Sequence, residues 1–128
     1  MSYYFSKIVT GDWQKIKENV IAKLKEQGFG VLTEIDMKTT LKNKIGVDIM
    51  RYEILGACNP PFAFQAVTAE ENIGLMLPCN VVLKEVGDDQ VEVSAVDPIA
   101  SMQAVKNDNL GEVAQQVQDK LKQFIETL

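Results

Sequence analysis

The side chains best suited to chemistry in this chain are two cysteine–asparagine pairs. Gly56-Ala57-Cys58-Asn59-Pro60-Pro61 holds the first and Leu77-Pro78-Cys79-Asn80 the second. A thiolate is both a nucleophile and a metal ligand, and the local field decides how readily it forms. Asn59-Pro60 reads as a helix cap followed by proline at the first helical position. That would set Cys58 beside a helix N-terminus, where partial positive charge favours a thiolate. The plainer reading makes Cys58 a small apolar filler under a turn. Cys79 lies in an apolar, strand-like run and reads equally as a buried, inert thiol. Asn80 in the same run needs hydrogen-bond partners, so it either ties down a backbone loop or points into a cleft. Pro78 within the run implies an edge strand or a bulge.

Two carboxylates complete the candidate set. Asp36 and Asp97 each follow a strand-like segment and precede a helix-like one. Helix capping alone accounts for both. Glu34, two residues before Asp36, would share its side of an extended segment. Such a pair could bind a divalent cation or share a proton, and solvent exposure is the commoner fate.

The elements that must position these residues follow from pattern. Residues 3–9 are aromatic and β-branched and predict a first strand ended by Gly11. Asp12 caps a helix with Trp13, Ile16, Val20, Ile21 and Leu24 on one face, stopped at Gly28. A strand follows over 30–35, then a short helix through Leu41 to Ile45 that begins after Asp36 and ends at Gly46. Residues 52–57 predict a third strand. Asn59-Pro60 starts a helix carrying Phe62, Ala63, Ala66 and Val67, which ends before Gly74. Residues 75–86 and 91–96 read as a hairpin, the second arm alternating cleanly. Asp97-Pro98 repeats the cap-then-proline device. Asn109 and Glu112 form a capping-box-like pair before a long final helix with an apolar stripe from Leu110 to Leu128. This order predicts an α+β fold, a single domain over 1–128, with an antiparallel or mixed sheet covered on one face by two long helices.

Composition narrows the chemistry. The chain has 128 residues, 46% of them hydrophobic and 24% charged, as expected of one globular domain. It contains no histidine, which excludes a Ser-His-Asp or Cys-His arrangement and the HExxH zinc pattern within the chain. A net charge of −5 makes nucleic acid a poor partner. The two cysteines have neither CxxC nor zinc-finger spacing. Gly28-Phe29-Gly30 follows a helix and precedes a strand, the reverse of the dinucleotide-binding order. No basic leader with an apolar core opens the sequence, and the longest mainly apolar stretch, 73–83, is short of the roughly 20 residues that span a bilayer. The expectation is a cytoplasmic protein without a membrane segment.

Taken together, Ile54-Leu55-Gly56-Ala57-Cys58-Asn59-Pro60-Pro61, Leu77-Pro78-Cys79-Asn80-Val81-Val82, Ser94-Ala95-Val96-Asp97-Pro98 and Gly28-Phe29-Gly30-Val31-Leu32-Thr33-Glu34-Ile35-Asp36 resemble the domain of unknown function 302. The resemblance runs from about Tyr4 to Phe124. It implies a curved antiparallel sheet with helices against it, similar to the TATA-binding-protein-like arrangement, in a bacterial or archaeal cytoplasmic dimer. It implies no activity and no cofactor, and a shared fold does not carry function.

Three expectations follow. The first is a small-molecule or thiol-dependent site in a cleft gathered from strand ends, with Cys58, Asn59, Cys79, Asn80, Asp97 and Asp36 as ligand-binding candidates. The second is a non-enzymatic homodimeric interaction module, with Tyr3-Tyr4-Phe5 or an edge strand at the interface. The third is a metal held by Cys58, Cys79 and Asp97 or Asp36, a thin donor set without histidine or a third cysteine; no metal is expected.

Overall fold

The computed structural model describes residues 2–128. Five strands form one antiparallel sheet: β1 (Tyr4–Thr10), β2 (Gly30–Asp36), β3 (Tyr52–Cys58), β4 (Cys79–Gly87) and β5 (Gln90–Val96), in the order β1-β5-β4-β3-β2. The helices are α1 (Trp13–Glu26), α2 (Met37–Ile45), α3 (Pro60–Ala69), α4 (Pro98–Ser101) and α5 (Gly111–Glu126), with 3₁₀ turns at Glu71–Met76 and Asp108–Leu110. The expected α+β class is present, and of the antiparallel and mixed alternatives the sheet is antiparallel throughout.

Period-two alternation builds one apolar sheet face. Leu55, Ala57, Cys79, Val81, Leu83, Val91, Val93 and Ala95 point to it and are buried. They join Ile16, Val20 and Leu24 of α1 and Val117, Leu121, Phe124 and Ile125 of α5 in one continuous core. The opposite face carries Tyr4, Ile8 and Ile35, all exposed. A bulge between Val31 and Thr33 leaves Leu32 without a partner on β3. Val31 pairs with inward-facing Ala57, whereas Thr33 pairs with Gly56 and Ile35 with Ile54. The extra residue therefore reverses the parity of β2 midway along the strand.

The caps at Asp12, Asp36 and Asp97 accept backbone N–H bonds from Lys15 (3.1 Å), Thr39 (2.9 Å) and Ile99 (3.0 Å). Two local expectations need correction. The strand expected over 75–86 begins only at Cys79: Leu77 N–H donates back to the Gly74 carbonyl, and Pro78 has no N–H to give a ladder. Pro78 thus precedes an interior strand and marks neither an edge nor a bulge. The short helix expected between Asp36 and Gly46 is present as α2, with Asp36 as its cap and Gly46 at its end. The capping box at Asn109 and Glu112 is absent. Asn107 caps instead, accepting from Asn109 N–H, and the 3₁₀ turn it opens runs straight into α5.

Candidate functional site

One end of the sheet collects the C-terminus of β3, the N-terminus of β4 and the exit of β5. Ala57 pairs with Cys79 and Gly30 with Cys58, so the two thiols sit on neighbouring strands, one residue apart in register. Both are free cysteines, Cys79 buried and Cys58 half-buried. Above them lies a cavity of about 260 Å³. Cys58, Asn59 and Cys79 form one wall; Phe62, Ala63 and Ala66 of α3 and Val113, Ala114 and Val117 of α5 form the others. Leu32, freed by the β2 bulge, and Leu77, Pro98 and Met102 are also among the lining residues, none of which carries a charge.

Burial pushes the Cys79 thiol up to about 11, with a smaller upward push from neighbouring Cys58. A thiolate loses hydration there without gaining a cation. Cys79 is thus a neutral thiol at physiological pH.

Asn59 occupies the N-cap position of α3, but its side chain makes no capping bond. Its Nδ2 instead donates to the Gln27 carbonyl (3.2 Å) in the turn after α1. Gly28 follows Gln27 at φ +87°, and a Cβ there would come 2.9 Å from Nδ2 but 4.0 Å from Oδ1. The nitrogen end of the amide is thereby pinned to the turn, and the oxygen end is turned away from it. The α3 N-terminus is also poorer in donors than the sequence implied. Pro60 and Pro61 occupy its first two positions without N–H groups, and Ala63 N–H already donates to the Asn59 carbonyl (2.9 Å).

The other sequence candidates lie elsewhere. Asp97 stands at the rim, beside cavity-lining Pro98, and its Oδ1 accepts from Ile99 N–H and Gln118 Nε2 (both 3.0 Å). Asn80 is exposed, not embedded in the apolar run, because it alternates to the other sheet face; there it borders a second concavity with Tyr3, Tyr4, Tyr52 and the Lys84–Glu92 ion pair. Asp36 lies at the far end of the sheet, paired with Glu53, and its carboxylate caps α2. Hydrogen bonds from Thr39 lower its pKa despite slight desolvation. Glu34 pairs with Lys17 (2.7 Å), not with Asp36. Among the described residues no three His, Cys, Asp or Glu side chains converge in a way that could hold a metal ion.

Sequence reasoning missed Leu32 and Met102. Nothing in the residues announces the bulge that releases Leu32. It also missed that Lys17 bridges Glu34 and Glu53 while Trp13 Nε1 donates to Glu53 Oε2 (2.9 Å).

No helix among the described residues is long and apolar enough to cross a membrane. The chain matches no curated protein. Its fold is similar to the crystal structure of the uncharacterized conserved protein DUF302 from Bacillus stearothermophilus, with a TM-score of 0.89, 23% identity and 98% of each chain covered. The profile of domain of unknown function DUF302 matches residues 5–128, nearly the whole chain, and this protein belongs to that family.

Proposed function

We propose that this chain is a small-molecule-binding domain whose site is the cavity between the β3–β4 strand ends, α3 and α5. The observation that carries the reading is the convergence of two thiols and a buried amide on one wall of an otherwise apolar, open cavity. Pockets of this kind, largely apolar with a few fixed polar groups, are the usual form of a ligand site. Cys58 is the accessible thiol and Cys79 the buried one. Asp97 serves the rim by holding α4 to α5 and does not itself touch a ligand. Two free cysteines suit a reducing cytoplasm. The test is protection of Cys58 from iodoacetamide, read by peptide mass, while a library of small apolar molecules is screened. Ligands that slow its alkylation, and lose that effect when Ala63→Phe fills the cavity, support the site. A Cys58 rate indifferent to every ligand and to Ala63→Phe removes it.

A second reading, a homodimeric interaction module, is favoured by α2. This nine-residue helix buries none of its residues; its last, Ile45, is 71% exposed, and Met50 beyond it is 57% exposed. A helix this short is marginal without packing. In this reading α2, the uncovered sheet face and the Tyr3-Tyr4 start face a second copy. Sedimentation of the full chain as a strict monomer at micromolar concentration would end it.

A further inference from the structure

Accepting the cavity as a ligand site, its polar wall specifies what enters. We infer that the site takes a neutral, mainly apolar molecule that donates one hydrogen bond to Asn59 Oδ1, and that it refuses anions.

Asn59 is 8% exposed and lines the cavity. Its Nδ2 is committed to the Gln27 carbonyl, and exchanging the two ends of the amide would set oxygen against oxygen there. The orientation is therefore fixed. Among the described residues nothing donates to Oδ1, yet that atom is not sealed off from open space. A nearly buried amide oxygen with a free acceptor site calls for a donor from outside the protein.

The same wall lacks what an anion needs. No lysine or arginine lines the cavity. The helix that begins there, α3, spends its first two positions on Pro60 and Pro61, so two of the N–H groups that usually hold phosphate or carboxylate are missing and only that of Phe62 remains. The Asn59 oxygen, left without a donor, and the Asp97 carboxylate at the rim both repel negative charge. A cation fares no better, since no carboxylate faces the interior and Cys79 is neutral. A charged ligand would lose its hydration without compensation.

The test uses three probes of nearly one shape on the full chain, titrated by calorimetry or saturation-transfer NMR. Indole is neutral and donates one N–H; benzofuran has the same outline with no donor; indole-5-carboxylate adds a negative charge. Indole is expected to saturate the protein, benzofuran to bind about tenfold more weakly and the carboxylate not to bind measurably. Asn59→Ala should erase the difference between indole and benzofuran. Should that variant fail to fold, the comparison on the unaltered protein decides alone. Benzofuran equal to indole, or the carboxylate equal to or tighter than indole, overturns this inference while leaving the cavity a ligand site. Failure of all three to bind, or binding that Ala63→Phe leaves untouched, overturns the site itself.

Discussion

Burial holds the Cys79 thiol protonated far above the ordinary cysteine range, and this has two readouts. The first is reactivity. Cys58 is expected to be alkylated at neutral pH well before Cys79, whose modification should wait for alkaline pH or unfolding; peptide mass mapping of a time course resolves the two. The second is stability. The folded state favours the neutral thiol, so the Cys79 contribution is complete below its ordinary value of 9.0 and is lost as pH rises from there towards about 11. Urea midpoints of the native chain should fall across that window. Cys79→Ala, less stable at pH 7 because it leaves a void, should lose less across the same interval. Both cysteines were visible in the sequence as candidates. What the sequence could not show was the difference between them, since that depends on which face of which strand each thiol meets.

Among the elements, the turn from α1 into β2 matters more than its length implies. Gly28 must supply a positive φ, and it must also leave room for the Asn59 amide. Gly46, at φ +70°, ends α2 with open space around it. Replacing Gly46 by alanine should therefore cost only the conformational penalty, about 1 kcal/mol. Gly28→Ala adds displacement of Asn59 and should cost roughly 2 kcal/mol, measured by chemical denaturation. Only Gly28→Ala should also weaken ligand binding. Gly56 is constrained differently: Pro78 Cγ lies 2.7 Å from where its Cβ would stand, beneath Thr33. Helix stops and caps were legible at Asp12, Gly28, Gly46 and Asp97 because glycine and aspartate act through their own backbone neighbourhood. Asn59 misled because its side chain found a tertiary partner 32 residues away in the sequence. Asn80 misled because one step of strand alternation moved it to the other face.

At the scale of the molecule, the ends of the sheet are specialised in opposite ways. At the end away from the cavity, Lys17 of α1 bridges Glu34 of β2 and Glu53 of β3, both at 2.7 Å. Desolvation lowers the Lys17 pKa, and the two carboxylates outweigh it, so the net shift is upward. The ammonium therefore contributes fully below its ordinary value of 10.5, and the contribution is lost as pH rises through the still higher folded value. Lys17→Met leaves the half-buried Glu53 carboxylate with only the Trp13 Nε1 bond and no cation, and should destabilise the chain by about 1–3 kcal/mol at pH 7 in a denaturant titration. It should leave cavity binding unchanged. The class of fold was legible from the alternation of strands and amphipathic helices, but this division of labour was not, because strand order and register decide which residues meet. The bulge at Leu32 joins the two ends. Because it already reverses parity, removing that one residue restores plain alternation: Val31 stays inward, Thr33 outward and Glu34 beside Lys17. Chain length here is uncoupled from register. A single-codon deletion can thus redraw the cavity wall and leave the core unmoved, so relatives can diverge in what they hold by losing or gaining one residue.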